Sequence, residues 1–143
     1  MRFVDLDPGD IRLAGDAFPV LAELRTELTA EALEAVYAEG HPQGLRFTAA
    51  YDDTGRCLGV AGWRVMATTA TLRKLYVDDL VTAAAARSAG VGSALLTELV
   101  QRARAAGCAV LDLDSGVHRA DAHRFYFRER MAITALHFTR PLV

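Results

Sequence analysis

The chain has 143 residues, 52% apolar and 24% charged, a balance suited to one globular domain and not to a disordered or fibrous chain. Sixteen Lys and Arg stand against eighteen Asp and Glu, leaving a net charge of −2, so no overall field draws it onto nucleic acid or an anionic membrane. The two cysteines, Cys57 and Cys108, lie in strand-like segments without metal-ligand spacing and read as buried free thiols.

Phe3 to Leu6 reads as a short strand. Asp7-Pro8 predicts a helix start, with Asp as cap and Pro at the first position. Ile11, Ala14 and Phe18 recur at helical spacing, and Pro19 is expected to break that run. Val20, Leu21, Leu24 and Leu28 continue as a second piece. Thr29 caps a further helix carrying Leu33, Val36 and Tyr37, which stops at Gly40 with Pro42 just beyond. Leu45 to Tyr51, Cys57 to Met66 and Leu72 to Val81 read as three strands of an antiparallel meander, with Asp52 to Gly55 as the first turn. A helix from about Gly90 to Ala106 carries the apolar stripe Val91, Leu95, Leu96, Leu99, Val100 and Ala103. Ala109 to Asp114 is a strand, parallel to the one before that helix. A helix over roughly Ala120 to Glu129 and a last strand over Ala132 to Thr139 follow. The order βααβββαβαβ predicts a single α/β domain over 1–143, a mixed sheet with helices on both faces.

Two stretches carry chemistry. In Arg87-Ser88-Ala89-Gly90-Val91-Gly92-Ser93, glycines let backbone approach a ligand, and the helix that follows presents unsatisfied N–H groups and the positive end of its dipole. That arrangement suits phosphate, and Arg87 adds a charge that forks onto phosphate oxygens; a plain tight strand-to-helix turn is the competing reading. The glycines fit a dinucleotide fingerprint poorly. They lie well past the strand, and the third glycine is missing. No Gly-Lys-Ser/Thr follows, which excludes a nucleotide-triphosphate loop. The second stretch is Ala122-His123-Arg124-Phe125-Tyr126. A phenol, with a pKa of about 10, is a proton donor at neutral pH and suits a general acid for a thiolate leaving group.

Together these stretches resemble the GNAT superfamily, the GCN5-related N-acetyltransferases. Arg87-x-x-Gly90-x-Gly92 matches the family's acyl-CoA loop, and Ala122-x-x-Phe125-Tyr126 matches its later helix. Arg130-Met131 departs from the Gly-Phe usual after that helix. The resemblance implies an enzyme that transfers acetyl from acetyl-CoA, as cosubstrate, to a primary amine by direct attack, without a metal. It implies that Arg87 and the backbone of Ser88, Ala89, Gly90, Val91, Gly92 and Ser93 hold the pyrophosphate. Leu80 and Val81 would offer backbone groups to the pantetheine arm, and Tyr126 would protonate the CoA thiolate. A sensor of the same fold that binds acyl-CoA without turnover is the alternative.

The family's histone-type members place a glutamate base near the start of the strand before the loop, where this chain reads Ala70-Thr71-Leu72. Asp78 is the candidate base, acting through water, with an ion pair as the competing role. Asp78 and Asp79 are adjacent, so strand alternation sends them to opposite faces. His41, His118, His123 and His137 read as turn, surface or strand residues, and Asp112 and Asp114 as structural. The acceptor is expected to be a small-molecule or peptide amine, with no nucleic acid or membrane partner, and a homodimer stays open. Absence of a signal-peptide pattern or membrane-length apolar run gives an expected location in the cytoplasm.

Overall fold

The computed structural model describes all 143 residues, Met1–Val143. They form two compact units, Met1–Asp112 and Leu113–Val143. The strands are β1 (Arg2–Leu6), β2 (Arg46–Tyr51), β3 (Cys57–Thr68), β4 (Leu72–Thr82) and β5 (Val110–Leu113). The helices are α1 (Phe18–Leu24), α2 (Ala30–Gly40), α3 (Val91–Ala105) and α4 (Ala120–Arg128). The sheet runs in the order β1-β2-β3-β4-β5. β1 to β4 are an antiparallel meander, and β4 reaches β5 through α3, the helical crossover that a parallel neighbour requires. The sheet is mixed and the class α/β, as expected.

Each face of the sheet is covered, because its strands alternate apolar residues to both sides. Leu6, Phe47 and Val60 pack with Leu13 and Leu21, and with Leu33 and Tyr37 of α2. The Tyr37 hydroxyl donates to the Leu6 carbonyl at 2.5 Å, so this core aromatic has its polar tip satisfied. On the other face, Val91, Leu95, Leu96, Leu99 and Ala103 of α3 are buried. Their spacing is the apolar stripe read from the sequence. There Thr48, fully buried, donates to Asp5 at 2.7 Å and accepts from the Trp63 indole at 3.0 Å.

Several boundaries differ from expectation. Asp7-Pro8 forms a turn, and the first helix begins at Ile11, with Asp10 Oδ1 accepting from the Arg12 N–H at 2.9 Å. Pro19 does not break the run. Leu13–Ala17 forms a π-helical segment in which the Phe18 N–H bonds to the Leu13 carbonyl. Pro19 then falls in the first positions of α1, where a missing N–H costs nothing. Thr29 caps α2 as expected, its side chain accepting from Ala32 N–H. The chain leaves α2 through a short turn, His41–Gln43, and the reversal is made by Gly44 at φ 100°. Both cysteines are half-buried free thiols.

The second unit holds α4. The expected strand over Ala132 to Thr139 does not form, and residues 131–143 lie outside any regular element. Ile133, Leu136 and Phe138 are 71–89% exposed. An alternating apolar pattern specifies a strand only where a neighbour accepts its backbone groups and a face covers its side chains, and here neither is present.

Candidate active site

Beyond Thr82 the chain makes one short turn, Ala84–Ala86, anchored by the Ala84 N–H donating to Glu23 Oε2 at 2.9 Å. Arg87 is extended and exposed, Ser88 has φ 68°, and Gly90 has φ 78°. The positive φ values at Ser88 and Gly90 turn the chain into α3, and the Ala89 N–H bonds back to the Ala86 carbonyl at 3.4 Å. Gly90 is the N-cap of α3 and has no side chain to accept from the first turn. The N–H groups of Val91, Gly92 and Ser93 have no carbonyl four residues back within the helix. Ser88, a non-glycine at positive φ, holds a conformation that is costly without a purpose. An uncapped helix N-terminus with the exposed Arg87 in the loop before it fits a phosphate chain.

Gly59 of β3 sets where α3 begins. A Cβ there would stand 2.9 Å from Val91 Cγ1, from Leu95 Cδ1 and from the Val81 carbonyl. Only a bare backbone lets the first turn of α3 settle onto β3 beside the end of β4. Leu80 and Val81 pair with Ala61 and Val60 on one side. On the other side, Ala109 N–H meets the Arg73 carbonyl at 2.8 Å, and β5 ends at Leu113. Parallel strands advance together, so β5 keeps pace with β4 only to about Asp78. Leu80 and Val81 extend past it.

A β-bulge sits at that point. Gly62 pairs with Asp79 and Trp63 with Val77, so Asp78 is the extra residue. A bulge breaks the two-residue alternation. The expectation that Asp78 and Asp79 face opposite ways is thereby corrected, and both line one cavity of about 580 Å3 on the α1–α2 side. The Arg64 guanidinium forks onto Asp78, both N–H···O distances being 3.0 Å. The Arg25 Nε donates to Asp79 Oδ1 at 2.8 Å, and its NH2 group also lies 2.8 Å from Oδ1 and reaches the Asp78 carbonyl at 3.2 Å. Asp79 Oδ2 stands outside this pair. It lies 3.1 Å from where a Cβ at Gly62 would be, so glycine at 62 gives the carboxylate its room. Burial pushes the Asp79 carboxyl above its ordinary pKa, against the opposing pull of Arg25 and Arg64. Leu21, Leu28, Leu33, Val36, Leu45 and Phe47 give the cavity its apolar walls, and Thr26 and Glu27 also line it.

Sequence reasoning singled out neither arginine. Arg25 is 54 residues from Asp79 and Arg64 is 14 from Asp78, and no local pattern ties them. The only available signal was that two acids on a central strand demand cations.

In the second unit, Tyr126 lies on α4 with its ring edge-on to Phe125 at 5.3 Å. Burial lifts its phenol pKa above the usual value, with the Arg119 charge pulling the other way. His123 Nε2 is 2.8 Å from the Gly116 carbonyl, and His137 Nδ1 is 3.5 Å from Asp114 Oδ1. Asp112 pairs with Lys74 at 3.0 Å. No group of three or more His, Cys, Asp or Glu is placed to hold a metal ion.

A family model described as the acetyltransferase (GNAT) family matches residues 13–131. The chain is 38% identical over 124 residues to the uncharacterized N-acetyltransferase YhdJ of Bacillus subtilis (strain 168), covering 83% of each. It is 36% identical over 66 residues to the aminoalkylphosphonate N-acetyltransferase of Salmonella typhimurium, covering 46% of this chain and 43% of that one. Among solved structures, the ribosomal-protein-alanine N-acetyltransferase of Brucella melitensis biovar Abortus 2308 shares the fold. The TM-score is 0.82 at 18% identity, covering 99% of this chain and 100% of that one.

Proposed function

The chain belongs to the GNAT family of acetyltransferases, and from that premise we propose that it transfers the acetyl group of acetyl-CoA to a primary amine by direct attack. One observation carries this reading. β4 and the loop after it lead from a half-buried carboxylate in a cavity to an uncapped helix N-terminus fit for phosphate. Asp79 and Thr82 are three residues apart, roughly 10 Å at strand rise. An acyl donor held by its pyrophosphate at the loop would run along β4 toward the carboxylates.

Arg87 and the N–H groups of Ser88 to Ser93 bind the pyrophosphate, and Leu80 and Val81 offer backbone to the arm. The acceptor arrives as an ammonium and must lose a proton to attack. Both Asp78 oxygens are gripped by Arg64, so the base role expected of Asp78 moves in this proposal to Asp79, whose Oδ2 is uncommitted. Asp78 then positions the bulge. Asp79 takes the first proton of the ammonium; as the amine nitrogen bonds to the acetyl carbon and the carbon–sulfur bond breaks, the departing thiolate takes the proton that the family resemblance assigns to Tyr126, and the nitrogen's second proton restores the phenol. Orientation of two bound reactants supplies much of the rate. The family match runs across both compact units and supports one catalytic domain over 1–143. Similarity to an aminoalkylphosphonate N-acetyltransferase supports a small-molecule acceptor in preference to a macromolecule. No helix is long and apolar enough to cross a membrane.

The test is release of free CoA thiol from acetyl-CoA in the presence of amines. We expect amine-dependent release that Tyr126→Phe lowers roughly 10²- to 10⁴-fold, the span of a positioned general acid, with acetyl-CoA affinity unchanged. Acetyl-CoA binding without transfer to any amine would leave the sensor reading in its place.

A further inference from the structure

The cavity beside the β4 bulge has more to say about the acceptor than the family does. It has the volume of a small-molecule site, which usually spans about 300–1,000 Å3. Its walls are largely aliphatic and aromatic; Arg25 and Arg64 gather at the Asp78–Asp79 end, and Glu27 also lines it.

The two ion pairs there are not equivalent. Arg64 and Asp78 are both about one-fifth exposed and joined by two hydrogen bonds. That pair is a fixed part of the wall. The Arg25 side chain is 53% exposed, while Asp79 is 18% exposed. An arginine half in water gains little from its partner and loses little on leaving it. Its carboxylate, set deeper, has the stronger need of a cation. A competing ammonium can therefore displace Arg25 into solvent and take its place.

Resting on the acetyltransferase reading above, we propose that the acceptor is a primary monoamine with an apolar body. Its ammonium replaces Arg25 on Asp79, and its body lies against Leu28, Leu33, Val36 and Phe47. A second ammonium on the acceptor would lie along that apolar wall, with Glu27 the one lining acid away from the Asp78–Asp79 pair. A phosphonate or carboxylate would meet Asp78, Asp79 and Glu27, with Arg64 already committed and the displaced Arg25, half in water, as its one cation. The walls thus select against both polycations and acidic amines.

The experiment compares 2-phenylethylamine, 2-aminoethylphosphonate and spermidine as acceptors in the thiol-release assay. The expected result is a kcat/KM for 2-phenylethylamine at least tenfold above the other two. Val36 is half exposed, so Val36→Glu leaves the core intact. It should lower kcat/KM for 2-phenylethylamine tenfold or more while leaving the KM for acetyl-CoA unchanged. Preference for the phosphonate or the polyamine, or indifference to Val36→Glu, would overturn the proposal and leave the acetyltransferase reading standing. If no amine releases thiol, it is the transfer reading that fails. Calorimetry then still decides the pocket: 2-phenylethylamine should bind the wild type and bind Asp79→Asn at least tenfold more weakly. No binding to the wild type would overturn the proposal.

Discussion

Asp79 has a carboxyl that burial raises, with Asp78 adding to the rise and Arg25 and Arg64 opposing it. The consequence for stability has a definite sign. A carboxyl whose folded pKa exceeds its unfolded value near 3.8 binds its proton more tightly in the native state. Its contribution to stability is fully present below the unfolded pKa and is lost as pH rises through the folded one. Asp79→Asn has no such proton. Denaturant midpoints measured from pH 3.5 to 7 should therefore shift in the variant's favour, relative to wild type, as pH rises through that window. They should run parallel above it. Turnover by the wild type should fall on the acid side with a midpoint above 3.8, since only the carboxylate accepts the amine's proton. Parallel stability curves throughout would mean that Asp79 does not titrate abnormally. The sequence showed two adjacent acids on a central strand, and so a site of interest. It did not show which acid is free. That depends on one extra residue in the β4 ladder and on arginines brought in from the end of α1 and from β3.

At the scale of elements, Gly59 joins β3 to α3. An added methyl would meet a backbone carbonyl as well as two side chains at 2.9 Å, and the carbonyl cannot rotate away. Gly59→Ala should destabilise by about 1–3 kcal/mol, the usual penalty of overpacking. It should also weaken acetyl-CoA binding, because the N-terminus of α3 would lift from β3. Gly15 makes the contrast: it lies in the first helical run with nothing within 4 Å of a new Cβ. Gly15→Ala should leave binding alone and raise stability by up to about 1 kcal/mol, since alanine loses less entropy in a helix. Thermal melts and acetyl-CoA titrations of the two variants check both claims. Elements with local signals were legible: the Thr29 cap of α2, the Asp52–Gly55 turn and the stripe of α3. Those whose fate depends on distant neighbours were not. Pro19 was tolerated because a π segment preceded it, and the segment from Ala132 to Thr139 lacked a ladder partner for its strand-like pattern.

Over the whole molecule, element order and two short motifs were enough to expect the family. Such motifs lie within single turns, where backbone geometry and residue type are coupled directly. The cavity was invisible for the opposite reason. Its lining comes from α1, α2 and three strands, and its key ion pair spans 54 residues. A test of the cofactor assignment at this scale is the effect of acetyl-CoA on global unfolding. A ligand that binds only the native state stabilises it by RT ln(1 + [L]/Kd), about 2.7 kcal/mol at a hundredfold excess over Kd. For a chain of this size each kcal/mol moves the melting temperature by roughly 2–4 °C, so a rise of about 5–10 °C is expected. Gly92→Glu should erase the shift while keeping the fold. A carboxylate in the first turn of α3 suits the helix dipole, yet it occupies the space and the charge that the pyrophosphate needs. NADH should produce no shift, because the glycines stand too far past β4 for a dinucleotide turn. A shift with NADH and none with acetyl-CoA would reverse the assignment of the loop. An equal acetyl-CoA shift in wild type and Gly92→Glu would instead place the phosphate site away from α3.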